Sequence, residues 1–399
     1  MGEWFPSRMT GRPVFANIGM ESVTILTEEK TDIFFMTKDR AVRINELVQK
    51  QGIQIGDNKL DVWMVIDSTP GVFGRTINDL DEYAKNLAKY VGRKIGGRKI
   101  VVWFSGGKDS TATLVVLLKL LEYINFHIEV FYIHVPYLDG ERNIRFAEEA
   151  AKKLSVDLHI ESMPRDVMLD LLRERGLPFR GYRWCTYHSK IKVMRGIKKR
   201  LRADYEVSSE RVFESVKRLK SLREYAKQEM FISGSQFKPT YLLTILDVAD
   251  ICRRNDVIHP DYLLGCSRVS CSLCPYRTIL EADMTSSDVE DPGTIDITIR
   301  EEYRRWYRAT SYDDFIHYRL WRFSPSIAPI ILLLKKALEG SQYQYMKMDV
   351  VRNMVSWMWM NDIEAPYIPI RAVIEIIRHI RNFQVAIANL NLRIKDISG

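Results

Sequence analysis

Cysteine is scarce. Five thiols in 399 residues argue against the disulfide framework of a small secreted domain and point instead toward metal binding or catalysis. Long apolar runs are missing as well. The longest uncharged one toward the C-terminus, IAPIILLL, falls far short of the roughly 20 residues that cross a bilayer. No charged-then-apolar leader opens the sequence, so the chain is expected to be cytoplasmic, with no membrane partner. Internal repeats and low-complexity tracts are absent. Neither sign of charge dominates: 59 Lys and Arg face 51 Asp and Glu, a net charge of +8, which favours polyanionic partners without requiring one. What remains, 46% hydrophobic and 28% charged, is the composition of a globular protein with core enough for two or three domains.

Three blocks follow one another. Residues 1–95 carry the runs ESVTILTEEKTDIFFM, AVRINELVQK and LDVWMVIDS and close on a helix around Asp79 to Tyr90, the pattern of a small α+β domain of unassigned role. In residues 96–284, strand-like and helix-like stretches alternate: IEVFYIHV, NIRFAEEAAKKL, DLHIES, RDVMLDLLRER and DYEVSS. This alternation predicts an α/β fold, a parallel sheet wound by helices, with ligands at the carboxyl ends of its strands. Residues 285–399 turn helical, aromatic and basic.

The second block opens on VVWFSGGKDSTATLVVLL, residues 101–118. Val101 to Phe104 reads as a buried strand and Thr111 to Leu121 as a helix, so the polar turn between them sits where free N–H groups and the helix dipole favour an anion. Two common phosphate loops are excluded. A Walker A loop needs a glycine five residues before its Gly-Lys pair, and position 102 is Val; a dinucleotide fingerprint needs G-x-G-x-x-G.

SGGKDS resembles the pyrophosphate loop of the ATP pyrophosphatases. Further along, YRWCTYHSK (182–190), RVFESVKR (211–218) and HPDYLLGCSRVSCSLCP (259–275) appear in the order seen in the phosphoadenosine-phosphosulfate reductase-like branch of that family. The matching positions are Arg183, Trp184, Cys185 and Lys190; Arg211, Glu214, Ser215 and Arg218; and Pro260, Tyr262, Arg268, Cys271, Cys274 and Pro275. The resemblance implies the adenine nucleotide alpha-hydrolase-like fold and binding of ATP and Mg²⁺. Ser105, Gly106, Gly107 and Ser110 would cradle phosphate, Lys108 would supply charge and Asp109 would help place Mg²⁺. Lys190, Arg211 and Arg218 would surround the polyphosphate, Glu214 would orient an arginine or a metal-bound water, and Arg268 would join the nucleotide site. Taken alone, RVFESVKRLKSLR also fits an amphipathic helix with a solvated basic face.

The cysteines carry the second signal. Cys271 and Cys274 form C-x-x-C, Cys266 lies five residues upstream, and Cys185 stands beside them in the ordered motifs. Four thiolates suit tetrahedral Zn²⁺ or a [4Fe-4S] cluster, and the resemblance favours the cluster, with Arg183, Arg268 and Arg277 offsetting its negative charge. Cys252, in LDVADICRR, reads as core.

The chain also departs from the family. Sulfonucleotide reductases use a separate C-terminal cysteine, and none follows Cys274 here. The second strand ends in HVPYLDG, where Asp139 stands in for the usual Asp-Thr-Gly; Ser209 replaces a glycine before Arg211, and Thr186 replaces a second cysteine after Cys185. These departures point to the members that transfer sulfur to tRNA or DNA after adenylation, releasing pyrophosphate and AMP, with a sulfur-donor protein as a further partner. The alternatives are a sulfonucleotide (PAPS or APS) reductase, an FMN adenylyltransferase, and a nucleic-acid-binding subunit with an inactive nucleotide site. The stretch REEYRRWYRATSYDDFIHYRLWRF interleaves Arg with aromatics, which suits either nucleic-acid binding or a helix whose aromatics pack inward. His188 and His259 lie near the motifs, although lone histidines are usually structural.

Overall fold

A computed structural model describes residues 22–26, 31–43, 53–55, 58–60 and 74–379. The expected AVRINELVQK and LDVWMVIDS elements lie, apart from their first residues, outside the described residues.

The centre is a six-stranded sheet. Its strands β6 (Lys99–Trp103), β7 (His127–His134), β8 (Leu158–Ser162), β9 (Tyr205–Val207), β10 (Ile232–Ser233) and β11 (Gln236–Phe237) lie in the order β10-β11-β9-β6-β7-β8, all pairs parallel except β10 with β11. β6 is apolar on both faces because helices cover both, as a wound parallel sheet requires. Ile100 and Val102 face helices α1 (Leu80–Ile95), α2 (Lys108–Leu121) and α3 (Glu141–Lys153), whereas Val101 joins Phe131, Ile133 and Ile197 on the other side. α1 starts at Asp79, whose carboxylate accepts the Glu82 N–H, and buries Tyr83, Leu87, Val91 and Ile95 at the four-residue spacing of one helical face. α2 is the central helix. It lies between α1 and the Ile245–Arg254 helix and buries nine residues, among them Leu114, Val116, Leu117 and Leu120.

α4 (Arg165–Arg175) follows β8, and α5 (Lys192–Leu201) follows a wide π-type turn at Thr186–Ile191. α6 (Val216–Lys227) begins at Ser215, which caps it by accepting the Arg218 N–H, and α7 is Ile245–Arg254. The expected alternation from IEVFYIHV to DYEVSS is therefore present, with ends displaced by one or two residues.

A second, antiparallel sheet joins strands from the first and last blocks of the sequence. β1 (Ser22–Leu26), β2 (Thr31–Met36) and β3 (Arg40–Arg43) are followed in space by β12 (Tyr345–Lys347), and Arg40 also donates to the Leu338 carbonyl at 3.0 Å. Alternation along β2 sends Phe34 and Met36 toward Leu280, Val351 and Val355, and Phe35 into the opposite cluster with Leu334 and Leu338. A short hairpin pairs β4 (Ile53–Ile55) with β5 (Asn58–Leu60). The C-terminal part is helical, with helices at Pro292–Trp306, Ala328–Glu339, Met348–Met360 and Ile370–His379. Among the described residues no helix is long and apolar enough to cross a membrane.

Candidate nucleotide site and cysteine cavity

The SGGKDS turn leaves the carboxyl end of β6. Gly106 has φ +70°, and a Cβ there would stand 3.1 Å from the Phe146 ring, so glycine is required twice over. Gly107 occupies the cap position of α2 without a side chain to fill it, leaving the first-turn N–H groups at the positive end of a 14-residue helix. The loop is pinned from within: Ser110 Oγ lies 3.0 Å from Ser105 Oγ and donates to the Gly107 carbonyl at 2.9 Å. It is also pinned from outside, because the Lys108 N–H donates to Tyr262 Oη at 2.9 Å, and Tyr262 stacks on Trp359 with centroids 4.3 Å apart.

Asp109 binds two cations. Arg211 Nε donates to it at 2.5 Å, and Lys108 Nζ lies 3.1 Å away. Burial pushes its carboxyl upward, but Arg211 and then Lys108 outweigh that and bring it down to about 2. Arg211 itself is buried and also donates to the Leu243 carbonyl at 3.2 Å.

A cavity of about 340 Å³ opens beside this loop. Ser105 lines it from the turn, Cys185, Cys271 and Cys274 from two other segments, and Lys190 and Arg268 add cations. Arg183 and Arg268 both lie over the Tyr276 ring, 4.6 and 5.8 Å from its centroid, and one guanidinium nitrogen of Arg268 is buried without a hydrogen-bond partner. Burial pushes the Cys185 thiol up to about 11 and raises Cys271 further, with the negative charge of Asp139 adding to the second. Lys190 is held charged by the sulfur of Cys271, against burial, and by Asp139. Any metal bound here must displace thiol protons.

Asp139 lies at the cavity wall, buried, accepting from Tyr132 Oη at 2.6 Å and from the Asn143 side chain at 2.7 Å. Burial raises its pKa, yet His134, Lys190 and these donors hold it below the ordinary value.

Several expected residues lie elsewhere. Cys266 is buried in the core, where its N–H donates to the Asp261 carbonyl at 2.8 Å; it does not line the cavity. Among the described residues no group of three or more His, Cys, Asp or Glu side chains is arranged to hold a metal ion. Glu214 and Arg218 pair with each other at 3.5 Å, and Arg218 and Lys238 both pair with Glu210, an ion network on the α6 side with no contact to the loop. Cys252 is core, as expected, with its thiol 3.6 Å from the Lys108 carbonyl. His259 is buried as the cap of a short helix, accepting the Asp261 N–H at 3.1 Å, and is pushed down to about 3 by burial and the nearby arginines. The C-terminal aromatics pack inward: Tyr307, Phe315, Tyr318, Trp321 and Phe323 are buried in one cluster, and Arg322 is buried among backbone carbonyls.

Sequence reading undervalued Tyr262 and missed Asn143. Tyr262 was legible only as part of a motif, since its contact spans 154 residues, and nothing in the helical run around Asn143 marks a polar residue that points inward.

Residues 99–277 match the family model of the phosphoadenosine phosphosulfate reductase domain. An uncharacterised protein of Methanocaldococcus jannaschii is 27% identical over 245 residues, 60% of this chain and 55% of its own, so the chain spans about half the length of that relative. The tRNA-cytidine(32) 2-sulfurtransferase of Paraburkholderia phymatum is 34% identical over 85 residues, 20% of this chain and 25% of its own. Among solved structures, the U34-tRNA thiolase NcsA of Methanococcus maripaludis, with its [4Fe-4S] cluster, is similar at a TM-score of 0.33 and 15% identity, covering 56% of this chain and 78% of that one. Residues 99–277, which hold the wound sheet, its SGGKDS turn and the three-cysteine cavity, are thus the part of the chain that matches the phosphoadenosine phosphosulfate reductase domain.

Proposed function

We propose that this protein is an ATP pyrophosphatase that adenylates an oxygen of tRNA and replaces it with sulfur. The observation that carries the reading is the shared cavity: Ser105 of the glycine turn and three cysteines from two distant segments line one space. The first-turn amides of α2 and the hydroxyls of Ser105 and Ser110 bind the β and γ phosphates. The substrate oxygen attacks the α phosphorus, and pyrophosphate leaves. Lys108 and Arg211 neutralise the charge that gathers on the departing pyrophosphate, and Asp109, ionised at every physiological pH, orients both cations and is available to Mg²⁺. A sulfur nucleophile then displaces AMP. Lys190 and Arg268 face the same space and stabilise anions within it.

The thiols that would hold an iron–sulfur cluster are Cys185, Cys271 and Cys274, which line one cavity without being arranged as a metal site in this structure, and Arg183, Lys190 and Arg268 beside them would offset the negative charge of such a cluster. Bound there, such a cluster would supply an iron with an open position for exogenous sulfide. The sulfurtransferase that is 34% identical to this chain over 85 residues acts on tRNA, which favours tRNA over DNA as the substrate. Incubating anaerobically purified protein with tRNA, ATP, Mg²⁺ and sulfide, followed by mass spectrometry of digested nucleosides, tests the reading. A thionucleoside that requires ATP is expected; unmodified tRNA alongside a modified small molecule overturns it.

A further inference from the structure

Residues 176–203 contain nine Lys and Arg and no Asp or Glu. The structure sorts these cations. α5 packs Val193, Met194, Ile197 and Leu201 against Val101, Phe131 and Ile133 of the central sheet. Lys198 then pairs with Glu206 at 2.8 Å and Arg200 with Glu161, both at the flanks. Lys192, Arg195 and Lys199 are left on the outer surface at three- and four-residue spacing, exposed and, among the described residues, without a carboxylate partner. Arg202, just past the helix end, is exposed in the same way and extends the row. From Lys192 to Lys199 the row runs about 10 Å along the helix.

Its near end is the cavity. Lys190 and Met194, two residues to either side of Lys192 at the start of this row, line the same space as the thiols. Arg183, exposed at the rim, and the half-exposed ring of Tyr187 on the preceding turn continue the surface. A row of unneutralised cations leading to an aromatic side chain and then into a reaction cavity has the form of a track for a phosphate backbone that delivers one nucleotide inward. We infer that the outer face of α5 docks the phosphate backbone of the tRNA substrate and directs the target nucleotide past Arg183 and Tyr187 into the cysteine cavity. This rests on the function proposed above but moves the nucleic-acid surface from the C-terminal arginine-aromatic stretch, most of whose aromatics pack into the core, to α5.

The test compares three full-length proteins binding unfractionated tRNA across a salt series. One is the parent, one is Lys192→Glu/Arg195→Glu/Lys199→Glu, and one is the control Lys85→Glu/Lys89→Glu/Arg93→Glu. The control makes the same charge change on exposed positions of α1, which packs on the opposite face of the sheet. Thermal melting verifies that each variant is folded. The α5 variant is expected to bind roughly tenfold or more weakly, with the slope of log K against log salt reduced by about 2 to 3, while the control stays within twofold of the parent. Equal losses in both variants, or an α5 variant that binds like the parent, overturn the docking surface and leave the proposed function standing. A parent protein that turns over ATP but shows no salt-dependent affinity for tRNA overturns the substrate assignment itself.

Discussion

Asp109→Asn is the substitution whose consequence the structure fixes most closely. The carboxylate holds a buried guanidinium at 2.5 Å and an ammonium at 3.1 Å. Its pKa of about 2 against an ordinary 3.8 corresponds to about 2 kcal/mol of folded-state stabilisation. Asparagine keeps the shape and one acceptor oxygen but leaves the buried Arg211 guanidinium without its counter-charge. Breaking a buried pair costs about 3 to 5 kcal/mol, and water at the partly exposed Asp109 side chain moderates this, so a loss of roughly 2–3 kcal/mol is expected, a fall in Tm of roughly 4–10 °C. Because the folded pKa is depressed, the contribution is fully present above pH 3.8 and disappears as pH falls through about 2. The gap between parent and variant should therefore be constant near neutrality and close between about pH 4 and pH 2. Denaturant titrations of the parent, Asp109→Asn, Arg211→Gln and the double variant complete a cycle. The double variant should be less damaged than the sum of the two singles by about 1–3 kcal/mol. Additive losses, or a gap unchanged down to pH 2, would show that the pair is not coupled as described.

Gly106→Ala forces a side chain into a φ of +70° against Phe146 and should cost about 1–2 kcal/mol of stability, read by thermal melting, and weaken ATP binding. Tyr262→Phe removes the acceptor of the Lys108 N–H and should raise the KM for ATP with little change in kcat, at a stability cost of about 1 kcal/mol. Serine at Cys185, Cys271 or Cys274 should abolish iron retention in anaerobically purified protein, whereas Cys266→Ser should keep it; the reverse pattern in iron analysis would move the site. Glu302 is buried, accepts the Leu177 N–H at 3.0 Å and is raised by burial to about 8. Stability should accordingly fall as pH rises from about 4.5 to 8, and Glu302→Gln should flatten that slope in pH-dependent melting.

Local signals were legible and long-range ones were not. The β6-turn-α2 unit could be read because a strand period, two glycines and a helix period occupy adjacent residues, and each constrains the next. The pairing of β3 with β12 could not, because it joins residues about 300 positions apart and depends on burying both faces of a small sheet. Cys266 was misleading for a related reason: spacing places it near the C-x-x-C pair along the chain, but the turn at Gly265, φ +92°, starts a segment whose Cys266 side chain is buried in the core. Arginines interleaved with aromatics read equally well as a binding surface or as core, and only packing separates the two. The ion pair of Glu214 with Arg218 likewise belongs to a network in which Glu210 binds both Arg218 and Lys238, which no motif records.

The most direct test of the central claim is the identity of the products when the anaerobically purified protein consumes ATP labelled on the α and γ phosphates in the presence of tRNA. A loop that holds the leaving β and γ phosphates requires cleavage between the α and β phosphorus atoms, so chromatography should show AMP with an equal amount of pyrophosphate, and Lys108→Ala should slow its formation by roughly 10²–10³-fold. Accumulation of ADP and orthophosphate, or AMP formed at the parent rate by Lys108→Ala, would contradict the account.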